Sequence, residues 1–181
     1  IMNTLHRKQW AITSVFTTIV IVISATFTLS LHAKTLQDTF AASSGGGLQI
    51  KTDVGKINVI THDNPSVLVN VEIEGQNKDD FSVEFIPKNG NLQIIGERTN
   101  SNSNWGWKKQ LRISFNITVP SKYNIQLNTS GGSVNITDLT GNIDAYTSGG
   151  SIGLGNIVGN VQAKTSGGTI KVGNVAGNVL L

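Results

Sequence analysis

Three copies of one 18-residue unit, joined without insertion or deletion, make up residues 128–181: NTSGGSVNITDLTGNIDA, YTSGGSIGLGNIVGNVQA and KTSGGTIKVGNVAGNVLL. A unit this short cannot bury its own apolar face, so a chain that repeats it must stack copy on copy. Apolar residues recur at Val134/Ile152/Ile170, Ile136/Leu154/Val172, Leu139/Ile157/Val175, Ile143/Val161/Val179 and Ala145/Ala163/Leu181. In each copy the first two positions are spaced by two, as are the last two, which is strand periodicity. The pattern predicts two short strands per copy, one before each Gly-Asn pair and one after it. Asn135, Gly153, Lys171, Asp144 and Gln162 fall between the apolar positions and are expected outside; only Leu180 departs from a polar exterior.

The corners recur as strictly as the core. Gly131-Gly132, Gly149-Gly150 and Gly167-Gly168 are expected to supply positive φ, where a Cβ would cost about 1 kcal/mol or more. Asn142, Asn160 and Asn178 each follow a glycine and are expected to tolerate left-handed φ in the same way. If copies stack in register, these amides lie about 4.8 Å apart and can form a side-chain ladder. Thr129, Thr147 and Thr165 open the glycine corners. Parity turns the methyls of Thr147 and Thr165 inward, with hydroxyls bonded locally. Two architectures accommodate such a unit, a parallel β-solenoid and an antiparallel meander of hairpins. Only the solenoid brings equivalent positions of successive copies together, so side-chain identity at equal offsets favours it.

The TSGG-x-[IV]-x-[ILV]…GN-[IV]-x-A repeat resembles the bacterial "putative adhesin" family of β-strand-repeat proteins, a domain of unknown function, over residues 40–181. The resemblance implies an all-β, right-handed, parallel β-solenoid-like stack on an exported protein, and no demonstrated activity. The chain departs from the family pattern after the glycine pair, where an acidic residue is common and Ser133, Ser151 and Thr169 stand here.

The formal net charge of +3 includes Arg7 and Lys8 near the start. From Lys34 onward 12 basic residues face 11 acidic ones, so the remainder is close to neutral. That excludes nucleic acid as a main partner, because phosphate binding needs a basic footprint. With no cysteine there is no disulfide, no thiolate chemistry and no cysteine-based metal site or lipid anchor. No cofactor is expected.

In chain order, 1–33 reads as a signal peptide: basic His6-Arg7-Lys8, a 19-residue apolar run over 11–29, and a small residue, Ala33, at the cleavage point. Uncleaved, residues 11–29 would serve as a membrane anchor, the chain's only expected membrane contact. Residues 34–181 read as one β-repeat domain. Within it, 40–74 is a degenerate coil, since aligning Thr52 with Thr129 superposes Ile57 on Val134 and Val59 on Ile136. Residues 75–119 read as an antiparallel hairpin insertion around Asn89-Gly90, a strong hairpin signal. The regular coils occupy 128–181. Apolar Val179, Leu180 and Leu181 at the final edge predict further coils downstream.

Candidate chemistry is sparse. His62 beside Asp63 lacks a second histidine and reads as a solvated turn. Asp138 and Asp144 share a coil as paired carboxylates can in polysaccharide-cleaving enzymes, but Asn156/Asn174 and Gln162/Leu180 follow them, so no acidic column exists. Calcium bound as in glycine-rich nonapeptide repeats is excluded, because Val134 and Ile136 occupy the ligand places. Trp105 and Trp107, with Lys108, Lys109 and Arg112, form the candidate partner contact, as Trp and Arg commonly anchor interfaces. The reading is a non-enzymatic, exported binding or scaffold protein of the cell envelope or surface, with a glycan or protein ligand. The alternatives are an envelope-stress signalling component and a polysaccharide-active β-helix enzyme.

Overall fold

A computed structural model shows the fold, and it describes residues 33–99 and 111–181. The expected signal peptide, apart from Ala33, and Trp105, Trp107, Lys108 and Lys109 lie outside the described residues. In the N-terminal half the strands are β1 (Lys34–Ala41), β2 (Gly47–Thr52), β3 (Lys56–His62), β4 (Ser66–Glu74), β5 (Phe81–Lys88), β6 (Asn91–Arg98), β7 (Arg112–Pro120) and β8 (Asn124–Thr129). The repeats add β9 (Val134–Ile136), β10 (Leu139–Thr140), β11 (Ile143–Thr147), β12 (Ile152–Leu154), β13 (Ile157–Val158), β14 (Val161–Thr165), β15 (Ile170–Val172), β16 (Val175–Ala176) and β17 (Val179–Leu180). Among the described residues no helix is long and apolar enough to cross a membrane.

These strands form three sheets. The first runs β1-β4-β7-β3-β9-β12-β15, the second β17-β14-β11-β8-β2-β6-β5, and the small third β10-β13-β16. Successive copies pair parallel and in register: Val134 with Ile152 and Ile152 with Ile170 in the first sheet, Leu139 with Ile157 and Ile157 with Val175 in the third. Ile143, Val161 and Val179 align likewise in the second. An antiparallel meander is therefore excluded for the repeats.

Each copy bends twice between Val134-type and Ile143-type positions, so it holds three short strands rather than the two expected. The extra corner lies at Thr137-Asp138. Ile136 and Leu139 are three residues apart, and both can face the core only if the chain turns between them.

The N-terminal half is interleaved with the repeats. Thr52 pairs with Thr129, and Ile57 and Val59 pair with Val134 and Ile136, so β2 and β3 form a coil directly beneath the first TSGG unit. The degenerate coil is shorter than 40–74, because β4 leaves it to pair antiparallel with β7. The hairpin β5–β6 forms, with Asn89 and Gly90 both at positive φ (50° and 75°), but 75–119 is more than an insertion. Its β6 pairs parallel with β2 and its β7 parallel with β3, so together they add a further coil. Their alternating apolar residues (Leu92, Ile94, Ile113, Phe115, Ile117, Val119) are buried in the same core.

Antiparallel β1 and β4 on one sheet and β5 on the other close this end. Phe40 and Phe85, on the two terminal strands, meet edge to face at 5.7 Å and bridge the sheets. Both terminal strands carry residues that discourage a further strand. Asp38 in β1 sits at a core-face position opposite Val69, and β5 contains Pro87.

The positive φ expected at the glycine corners is met at Gly132, Gly141 and Gly159, and a second requirement acts on all of the columns. Gly132 has φ +140°, but Gly150 and Gly168 lie outside the left-handed region. What these three share is close approach: a Cβ on each would overlap the carbonyl of the equivalent glycine one coil below (Gly55, Gly132 and Gly150). Gly141, Gly159 and Gly177 sit as tightly on their neighbours. The first glycine of each pair is not confined: a Cβ on Gly131 meets nothing within 4 Å.

Candidate functional site

The corners are built from polar side chains that bond across coils. Thr129 and Thr147 are fully buried, and the Thr147 hydroxyl donates to the Gly132 carbonyl of the preceding copy at 2.9 Å. Thr165 repeats the bond to Gly150 at 2.6 Å, whereas Thr129 stays local to Gly131. The local bonds expected of Thr147 and Thr165 give way to bonds across copies, although Thr165 Oγ1 also accepts locally from the Gly167 N–H at 3.4 Å.

Asn142, Asn160 and Asn178 do not adopt left-handed φ; among the described non-glycine residues only Asn89 does. They form a ladder of another kind. The Asn124 side-chain oxygen accepts from the Asn142 backbone N–H at 3.0 Å, Asn142 accepts from Asn160 at 3.0 Å, and Asn160 from Asn178 at 3.1 Å. Such bonds satisfy corner N–H groups that the sheets leave unpaired.

A second ladder escaped the sequence reading. Asp138 Oδ1 accepts from the Asn156 N–H at 2.7 Å, and Asn156 Oδ1 from the Asn174 N–H at 3.1 Å. Its signal was present as a small Asx residue at one offset in all three copies. This bond, with a second from the Asn156 amide at 3.1 Å, holds the Asp138 carboxyl below its ordinary pKa. A general acid needs the opposite displacement. Asp144 points outward between Gln126 and Gln162. Asp138 is thus engaged as a corner hydrogen-bond acceptor, and Asp144 stands exposed on the outer face.

His62 Nε2 lies 2.7 Å from the Ser66 carbonyl oxygen across its turn, and Asp63 accepts from the Ser121 hydroxyl at 3.0 Å. No group of three or more metal-ligating side chains occurs among the described residues. There is also no buried side-chain nitrogen or oxygen without a hydrogen-bond partner among them, so the described interior holds no poised polar group.

Of the proposed contact residues, Arg112 is described. It opens β7, exposed, opposite Glu74 of β4. The strands flanking residues 99–111 converge on the glycine-corner side of the stack, since Gly96 pairs with Thr52 and Ser114 with Lys56.

The outer face of the first sheet brings together five amides that sequence reasoning did not connect. Cα partners run Gln37–Asn70–Asn116–Asn58–Asn135, one residue from each of β1, β4, β7, β3 and β9. Asn58 donates to Asn116 at 2.9 Å, Asn135 to Asn58 at 3.3 Å, and Gln37 to Asn70 at 3.4 Å. The available signal was Asn at the centre of alternating strands, where its β-propensity is poor.

No protein-family model matches the chain, and no curated protein matches it in sequence. Solved structures do match. A "putative cell adhesion protein" from Clostridium sporogenes is 12% identical, covering 82% of this chain and 97% of its own, with a TM-score of 0.45. A "putative adhesin" from Parabacteroides distasonis is 13% identical over 82% of this chain and 97% of its own, TM-score 0.33. Another from Bacteroides fragilis is 11% identical over 81% and 96%, TM-score 0.31. At such identities these likenesses say nothing of what this chain binds.

Proposed function

We propose that the chain is an exported, non-enzymatic binding or scaffold module of the cell envelope, built on a right-handed β-solenoid. The in-register parallel pairing of successive copies carries this reading. It produces a rigid stack whose outer faces repeat polar side chains at strand spacing. The hand follows from the strong right-handed preference of crossovers between parallel strands. The Asp138 carboxylate accepts from the Asn156 N–H and amide, which supports a structural part for it in the stack. Trp105 and Trp107, with Lys108, Lys109 and Arg112, are the second candidate contact, on the sequence argument that Trp and Arg anchor interfaces.

Co-sedimentation of the chain with isolated cell-envelope fractions tests the reading. Saturable binding with no polysaccharide breakdown is expected, and the double variant Trp105→Ala/Trp107→Ala should weaken it. Failure to bind any envelope fraction, or release of reducing sugar that Asp138→Ala abolishes, would overturn it.

A further inference from the structure

The row of five amides crosses the strands and so runs along the stack, for about 19 Å at ordinary strand spacing. Its first four members, Gln37, Asn70, Asn116 and Asn58, floor a shallow groove of about 640 Å³ over β1, β4, β7 and β3. Beyond Asn135 the row continues over Gly153, which has no side chain, to Lys171. A parallel row of Thr39, Leu68, Thr118 and Ile60 forms the other side of the groove. Leu68 and Ile60 are 41% and 51% exposed there, large apolar side chains left in contact with solvent.

Several features of this face select a ligand. Four of the five amides come from strands outside the 18-residue repeat, so the row is not a by-product of copying a unit. The internal hydrogen bonds leave capacity: the Asn116 amide nitrogen and the Asn135 amide oxygen have no partner among the described residues. Each amide carries both donors and an acceptor, the complement of a hydroxyl that does both. Charge is sparse and mainly acidic: Asp38 lines the groove, Glu72 accepts from the Asn70 amide at 3.2 Å, and no cation lines the groove, the row's one cation being Lys171 at its far end. An acidic polymer would meet these two carboxylates over the groove and a single counter-charge, at Lys171. An extended peptide seeks the unpaired backbone of a strand edge, which a face does not offer and which Asp38 in β1 guards at the edge next to the groove.

We propose that this outer face binds an extended, uncharged polysaccharide, its hydroxyls hydrogen-bonded along the amide row and its C–H faces against Leu68 and Ile60. The inference rests on the reading of the chain as a binding module and names the ligand class of one of its faces.

The test is retardation of the full chain in native gels containing laminarin, xylan or dextran, with polygalacturonate and heparin as acidic counterparts. Retardation by at least one neutral polymer and by neither acidic one is expected. Asn58→Thr/Asn116→Thr should weaken it about tenfold, the effect of losing one or two hydrogen bonds, while thermal stability holds because Thr is the better strand former. If that variant melts early, Gln37→Ala/Asn135→Ser at the exposed ends of the row takes its place. Retardation unchanged in the stable variant, preference for the acidic polymers, or none by any neutral polymer would overturn the proposal. Envelope binding that persists without neutral-polymer retardation and needs Trp105 and Trp107 would sink this inference alone. Loss of both would sink the underlying reading too.

Discussion

The closed end of the stack and its repeating part solve the same packing problem with different materials. Around β1, β4, β5 and β7 the core holds Phe81, Phe115 and Tyr123, with Phe40 and Phe85 packed against it. The buried positions of the repeats are filled by Val, Ile, Leu, Ala and Thr, and no aromatic enters. Coils in the repeats are held at strand spacing by their ladders, and at the corners backbone lies directly on backbone. One site can therefore not swell without displacing the coil above. At the closed end the strands run antiparallel and each position occurs once, so side chains of unequal size can be fitted individually. Side-chain volume governs one region and backbone approach the other.

Substitutions can sharpen that contrast. The largest effect is expected at Phe115, fully buried where β7 joins the antiparallel strands. Phe115→Ala should cost about 4 kcal/mol in chemical denaturation. Next comes Gly150→Ala, which places a methyl on the Gly132 carbonyl and should cost about 3 kcal/mol by the same measurement. Its neighbour provides the control, since a Cβ on Gly149 meets only ordinary contacts, and Gly149→Ala should leave the midpoint nearly unchanged. Equal losses at the two glycines would contradict the claim that backbone approach governs the repeats.

Thr147→Val keeps the shape but removes the donor to the Gly132 carbonyl, with an expected loss of about 1 kcal/mol in the same assay. The smallest effect concerns acid. The folded carboxyl of Asp138 titrates below its unfolded value because it accepts from the Asn156 N–H. The stabilisation is therefore complete above the unfolded pKa and lost as pH falls through the folded one. Asp138→Asn should flatten that part of the acid melting profile, since a neutral amide at the equivalent Asn156 already makes the same bond to Asn174. An unchanged acid profile would remove Asp138 from the account.

The same contrast explains what could be read from the sequence. In the repeats the period and the parity of apolar residues determine register, so Val134, Ile152 and Ile170 could be aligned before any coordinates. The Thr52–Thr129 superposition extended this to β2 and β3, and Asn89-Gly90 marked its hairpin. The strand order at the closed end left no such mark. Whether β6 lies beside β2, or β7 between β4 and β3, depends on packing between segments distant in sequence, which alternation alone does not encode. The third strand of each copy was legible in the three-residue step from Ile136 to Leu139, but two-residue strands are too short to show a period. The glycine columns were visible as glycines, yet only the stacked backbones show that close approach acts at all six of Gly132, Gly150, Gly168, Gly141, Gly159 and Gly177, while φ is positive at three of them. The amide row on the first sheet was invisible for the same reason as the strand order: its five members come from five strands brought together by the fold.

In-register stacking is the proposition on which both the display surface and its ligand row depend, and engineered disulfides test it most directly in a chain without native cysteine. Asp144 and Gln162 face solvent on adjacent parallel strands as Cα partners, at a spacing of about 5 Å that a disulfide can span. Asp144→Cys/Gln162→Cys should oxidise to a monomeric cross-linked form, whereas Asp144→Cys/Lys164→Cys, two residues out of register on the same face, should oxidise poorly. Efficient closure of the offset pair with failure of the aligned one would contradict the stack.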